Sequence, residues 1–141
     1  QKNTGLMGRW EQLSNHPALV LDVAHNAEGM EQVLLQLQQI TFEKLHLIIG
    51  MVKDKDCERV LALLPKDATI YFTQANLPRA LPATALASLA QQLGINGSIH
   101  ENVNTAIEAA KQQAGANELL LVCGSIFLVA EVDRVRWSDP R

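Results

Sequence analysis

The sequence has no surplus of basic residues: 12 Lys and Arg stand against 15 Asp and Glu, a net charge of -3. Binding to nucleic acid through bulk positive charge is therefore excluded as a main function. No apolar run approaches the roughly 18 residues that a membrane span needs, and no secretory signal opens the chain. A cytoplasmic protein without a membrane partner is the expectation. There are only two cysteines, Cys57 and Cys123. They have no metal-type spacing, and Cys123 lies in an apolar run, so reduced thiols are expected rather than a disulfide. Internal repeats and low-complexity stretches are absent. So is any Gly-x-x-x-x-Gly-Lys-Ser/Thr loop, and no set of carboxylates reads as a magnesium site. The chain also lacks an initiator Met, and residues 1–8 show neither helical nor strand periodicity. They are read as a linker or hinge remnant of a longer polypeptide, and residues 9–141 as one domain.

What is present is a regular alternation. Hydrophobic residues make up 48% of the chain and charged residues 19%, the balance of a folded globular domain. Strands are predicted at Ala18–Val23, Leu45–Gly50, Thr69–Thr73, Ser98–His100 and Glu118–Cys123, from apolar or β-branched runs bounded by turn residues. Helices are predicted at Glu28–Ile40, Asp54–Leu64, Ala83–Leu93, Val103–Ala114 and Ser125–Arg136, from apolar spacing and from Pro or Gly stops. A further short strand, Arg9–Leu13, precedes the series and is expected to be an antiparallel edge. Repeated strand-helix units of this length require right-handed crossovers and helices on both faces of the sheet. The expected fold is α/β, a Rossmann-like three-layer sandwich with a mostly parallel sheet of about six strands.

That topology gathers every strand-to-helix turn on one edge, where ligands of open α/β sheets bind. Four of these turns carry suggestive residues. The segment Ala18-Leu-Val-Leu-Asp-Val-Ala-His-Asn26 ends an apolar strand abruptly in Asp22, His25 and Asn26. An acid this deep in a strand pattern requires a partner, from a neighbour or from a ligand. Histidine is the side-chain type suited to proton transfer near neutral pH, which makes His25 a candidate, although a lone loop histidine is more often structural or solvated. Asn26 and Ser125 each stand where a helix begins, so each is a helix cap or a ligand contact. Gly124 lets backbone approach closely. Asp54-Lys55-Asp56 reads as a cap followed by exposed charge, and Arg79, taken singly, as a surface residue. Convergence on one edge raises the weight of all of them.

Five segments, in order and spacing, resemble the C-terminal domain of folylpolyglutamate synthases, including the bifunctional dihydrofolate synthases, within the Mur ligase superfamily. They are Gly8-Arg-Trp-Glu11, Leu21-Asp-Val-Ala-His-Asn26, Gly50-Met-Val-Lys-Asp-Lys-Asp56, Pro78-Arg-Ala80 and Val122-Cys-Gly-Ser-Ile-Phe127. The resemblance covers nearly the whole chain, and Asp-x-Ala-His-Asn is its most specific element. One departure is Ala27, where many members have proline, a residue helpful but dispensable at the first helical position.

The resemblance implies an ATP-dependent ligase that joins L-glutamate to the γ-carboxyl of a folate through an acyl phosphate, with dihydrofolate synthase activity as a further option. It assigns Arg9 and Asp22 to ATP, Arg9 to phosphate and Asp22 near the ribose. His25 and Ser125 are assigned to glutamate or the reacting phosphate, Asn26 to support and Arg79 to a glutamate carboxylate. His25 is the catalytic candidate, as a neutral base or as a cation that steadies phosphate. ATP and Mg2+ are the implied cofactors, with the metal held mainly by a covalently linked N-terminal P-loop domain that these residues do not contain. The chain alone is accordingly expected to be inactive and the whole enzyme monomeric. Two other readings compete: a stand-alone nucleotide- or amino-acid-binding module, and another Mur-type ligase acting on a peptidoglycan precursor.

Overall fold

The computed structural model of the chain describes residues 8–54 and 56–140. An antiparallel pair, β1 (Glu11–Asn15) and β2 (Ala18–Leu21), leads into α1 (Ala27–Leu37), β3 (Leu45–Ile49), α2 (Cys57–Leu63) and β4 (Thr69–Phe72). Then follow α3 (Ala83–Gln92), β5 (Gly97–Ile99), α4 (Val103–Gln113), β6 (Leu119–Cys123), α5 (Ile126–Ala130) and α6 (Arg134–Trp137). The six-stranded sheet has the order β1-β2-β6-β3-β4-β5. All its pairings are parallel except β1 with β2.

Side chains of the central strands alternate between two cores, as the period of two demands. Val20, Leu47, Ile49, Phe72, Leu121 and Cys123 face α1, α2 and α3. Leu19, Leu21, Ile48, Tyr71, Leu120 and Val122 face α4, α5 and Trp137 of α6. Both faces of β3 and β6 are covered, so every residue of those two strands is buried. This explains why they read as continuous apolar runs rather than alternating ones. The chain builds outward along one face from β2 to β5, then returns under the other face through α4 to β6. β6 is thereby inserted between β2 and β3, and the connections leaving it and its two neighbours part to opposite faces.

Beyond shifts of one to three residues at other element ends, such as α2 starting at Cys57 rather than Asp54 and α1 ending at Leu37 rather than Ile40, two elements differ from expectation. β1 begins at Glu11 rather than Arg9, because Gly8 and Trp10 have positive φ, +81° and +45°, and an L-residue at such φ is turned out of a strand. The closing helix is broken in two. Glu131 and Val132 bond back only three residues, to Leu128 and Val129, and Asp133 then caps a new helix by accepting from the Arg136 amide at 3.1 Å. The expected linker, residues 1–8, lies outside the described residues apart from Gly8.

Candidate functional site

β2 ends at Leu21, and the Asp22 amide adds one more rung by donating to the Val122 carbonyl at 2.9 Å. The half-buried Asp22 carboxylate is answered by backbone. One oxygen accepts from the Trp10 N–H and the other from the Ala24 N–H, each at 2.9 Å. Burial nevertheless pushes its pKa up, against the pull of those two N–H groups and of the Arg9 charge. Arg9 is exposed, at the tip of the turn that Asp22 anchors.

His25 is exposed in the following loop, with Nδ1 3.3 Å from the Val23 carbonyl. When Nδ1–H donates there, a neutral ring keeps its lone pair on Nε2. Asn26 caps α1, its Oδ1 accepting from the Gly29 N–H at 2.8 Å. The next amide, that of Ala27, donates at 2.7 Å to Asp56 from the β3–α2 loop. Proline at position 27 would lack this donor, so the departure noted in the sequence has a structural counterpart.

The β6 turn meets the β2 turn directly. Gly124 donates its N–H to the Ala24 carbonyl at 2.8 Å, and it has φ +113°. A Cβ there would overlap the carbonyl oxygen of Gly50. Three strand ends thus meet backbone to backbone at the point where their connections diverge, the crevice that open α/β sheets use for ligands. Ser125 is buried, and its Oγ caps α5 by accepting from Phe127 and Leu128. The hydroxyl proton remains available to an acceptor.

The β3 and β4 turns are zipped together: Lys53 N–H donates to the Arg79 carbonyl at 2.9 Å and Leu81 N–H to the Met51 carbonyl at 2.8 Å. Lys55 lies outside the described residues. The Arg79 guanidinium sits 5.5 Å from the centroid of the Phe127 ring, a cation-π contact that carries it to the start of α5. The structure therefore groups Arg9 with Asp22, the His25–Asn26 loop with Gly124–Ser125, and Arg79 with Phe127. Among the described residues, no hydrogen bond joins Arg79 to His25, Asn26 or Ser125. In the same loop, Gln74, Ala75, Asn76, Leu77, Pro78, Ala80 and Pro82 line a hollow of about 430 Å³. Two other hollows, of about 670 and 470 Å³, lie at the amino ends of the strands, away from these groups.

Sequence reasoning missed Asp56 as the residue that binds the α1 terminus, because the contact spans 29 positions. It also missed Glu11, whose carboxylate meets Arg134 across 123 positions. Neither pairing leaves a local signal.

The sequence pattern that defines the Mur ligase, glutamate ligase domain matches residues 8–126. The probable bifunctional folylpolyglutamate synthase/dihydropteroate synthase of Haloferax volcanii is 32% identical over 140 residues. That alignment covers 97% of this chain and 16% of the relative. The crystal structure of bifunctional folylpolyglutamate synthase/dihydrofolate synthase from Yersinia pestis, complexed with AMPPNP and Mn ion, superposes with a TM-score of 0.84 at 32% identity. It covers 94% of this chain and 32% of the longer one. A structure of the same kind of enzyme with Mn, AMPPNP and L-glutamate bound gives a TM-score of 0.84 at 31% identity, over 96% of this chain and 32% of that one. The chain spans a third or less of the length of these proteins.

Proposed function

The chain belongs to the glutamate ligase domain family of the Mur ligases, and from that premise we propose that it serves an ATP-dependent enzyme adding L-glutamate to the γ-carboxyl of a reduced folate. The observation that carries the reading is the Gly124–Ala24 hydrogen bond. It brings the Asp-x-Ala-His-Asn and Cys-Gly-Ser turns together at the sheet's ligand-binding edge. The relatives' names, and the nucleotide and glutamate in the related structures, support the choice of substrates.

The chemistry needs a carboxylate oxygen turned into a leaving group and an amine freed of its proton. ATP supplies the phosphoryl group for the first. For this chain, the exposed Arg9 is assigned to the phosphates, since a guanidinium offers paired donors to phosphate oxygens. Asp22 holds the Arg9 turn and has lone pairs left for ribose hydroxyls. His25, with Nδ1 turned to the Val23 carbonyl, is assigned as acceptor of a proton from the incoming ammonium group through Nε2. The Ser125 hydroxyl, Asn26 and Arg79 are assigned to the glutamate carboxylates and the reacting centre.

The described residues offer no group of three His, Cys, Asp or Glu side chains able to hold a metal. We therefore assign the divalent cation, Mg2+ in our reading, to a linked N-terminal P-loop domain, and derive no step through it here. The whole enzyme is read as monomeric and cytoplasmic.

The test is incorporation of tritiated glutamate into tetrahydrofolate with MgATP. The polypeptide that carries this chain behind its ATPase domain is expected to turn over, and the 141-residue chain alone is not. Turnover by the isolated chain overturns the division of labour, and its absence in the longer polypeptide overturns the assignment of activity.

A further inference from the structure

The turn that bears Arg9 is held more firmly than an exposed turn near the start of a domain requires. Gly8 has φ +81°, and a Cβ there would crowd Val23. Trp10 has φ +45°, a conformation that non-glycine residues rarely adopt and that persists only where its surroundings impose it. Those surroundings are specific. Val23 N–H donates to the Gly8 carbonyl at 2.6 Å, and Trp10 N–H donates to Asp22 at 2.9 Å. The Gly8 N–H donates to Glu11 Oε1 at 2.9 Å.

Glu11 is itself clamped. Its two oxygens accept from Nε and Nη2 of Arg134 at 2.8 and 3.0 Å, the paired geometry that gives an arginine-carboxylate contact its directional strength. Oε1 serves both the Gly8 amide and Arg134, so the position of the turn depends on the arginine. Arg134 in turn donates through Nη1 to the Val129 carbonyl at 3.2 Å, which also accepts from the Val132 N–H, near the end of α5, where a cation is favoured. α5 begins at Ser125. The line of contacts therefore runs from the Arg9 turn through Glu11 and Arg134 to the helix capped by Ser125.

We propose that Glu11 and Arg134 are positioning residues of the ligase: their fork fixes the Gly8–Trp10 turn against α5, so that Arg9 meets the nucleotide phosphates in register with the Ser125 turn. The inference rests on the assignment of Arg9 to the nucleotide. A pair that served only to tie β1 to α6 would have no need of the Gly8 amide, and it would not require left-handed backbone on either side of Arg9, which glycine supplies freely at position 8 and tryptophan does not at position 10.

The test uses the full-length ligase and compares Arg9→Ala, Glu11→Met, Glu11→Gln, Arg134→Met and Arg134→Lys, measuring KM for MgATP, KM for glutamate and thermal stability. Arg9→Ala is expected to raise KM for ATP about tenfold or more. Glu11→Met, which keeps the length but removes the acceptor, and Arg134→Met are expected to raise it about fivefold while KM for glutamate stays within about twofold. Glu11→Gln retains an oxygen for Gly8 but puts an amide N–H2 in place of the other acceptor of the fork, and is expected to fall between Glu11→Met and wild type. Arg134→Lys, which keeps charge without the fork, should fall between. If the Glu11 and Arg134 variants lose thermal stability but leave KM for ATP unmoved while Arg9→Ala raises it, the positioning role is overturned and the Arg9 assignment stands. If Arg9→Ala leaves KM for ATP unmoved, the assignment fails and the proposal with it. Should the methionine variants not fold, Glu11→Gln and Arg134→Lys decide: both at the wild-type KM for ATP would overturn the role.

Discussion

Replacing Gly124 by alanine tests whether the three strand ends meet as described. Gly124 has φ +113°, a backbone conformation that costs an L-residue roughly 1–3 kcal/mol. The added methyl would also overlap the carbonyl oxygen of Gly50 and come within 3.0 Å of Ile49 Cγ1. Backbone cannot yield as a flexible side chain does, and overpacking of this kind costs a further 1–3 kcal/mol, approximately. Together Gly124→Ala is expected to destabilise the fold by about 2–5 kcal/mol. Urea denaturation followed by circular dichroism measures it. With a slope of about 2 kcal/mol per molar urea, the midpoint should fall by roughly 1–2.5 M. The Gly124 amide is also the donor to Ala24, so any variant that moves it separates the β2 and β6 turns. A midpoint within about 0.3 M of wild type, on the same slope, would refute the reasoning, because the close approach would then be absent.

Three further outcomes follow from polar groups held out of solvent. Arg134 holds the Glu11 pKa below its ordinary value through their hydrogen bond, more strongly than burial raises it. Its stabilisation is therefore present above the ordinary carboxylate range and is lost as pH falls through the folded-state pKa. Glu11→Gln should flatten the acid limb of stability against pH, read by urea midpoints between about pH 6 and 3. Asp22 has the opposite sign. Burial raises its pKa, so its relative contribution is present at low pH and declines as pH rises through the raised value. The advantage of wild type over Asp22→Asn should accordingly shrink with rising pH. In the amino half of the sheet, His46 Nδ1 lies 2.8 Å from the Tyr71 hydroxyl and Nε2 lies 2.6 Å from Glu118 Oε1, so both ring nitrogens are hydrogen-bonded; in the neutral ring with its proton on Nε2, the Tyr71 hydroxyl donates to Nδ1. Tyr71→Phe leaves a nearly inaccessible imidazole nitrogen unpaired and should cost about 1–3 kcal/mol in the same denaturation assay. No loss would mean that the relay is not satisfied as drawn.

The elements most legible in the sequence are those whose burial is complete. Leu45–Ile49 and Leu119–Cys123 read as parallel strands because both faces are covered, leaving no polar interruption. The placing of Asp22, His25 and Gly124–Ser125 on one edge follows from topology alone, since parallel strands send every turn to the same side. What escaped is long-range or conformational. The Asp56 bond to Ala27 and the Glu11 fork to Arg134 join residues distant in the chain. The Trp10 backbone takes a positive φ that tryptophan does not announce. The break between α5 and α6 is set by the Asp133 cap and by three-residue closures at Glu131 and Val132, within a segment whose apolar spacing runs on unbroken. Of the candidate residues, Asn26 and Ser125 both prove to be helix caps. Capping occupies their acceptor oxygens without removing the Ser125 hydroxyl proton or the Asn26 amide protons from use.

The measurement that bears most directly on the account is glutamate incorporation into tetrahydrofolate by the full-length polypeptide that carries this chain, comparing wild type with His25→Ala and Asp22→Ala across a range of MgATP concentrations up to saturation. His25 is exposed and makes one long backbone contact, so its removal should leave the fold intact by circular dichroism. It is expected to lower kcat by about 100-fold or more, the range of a lost proton acceptor. Asp22→Ala, which frees the Arg9 turn, should raise KM for ATP as well as lower turnover. Full activity in both variants, with the fold intact, would contradict the claim that this sheet edge is part of the ligase site.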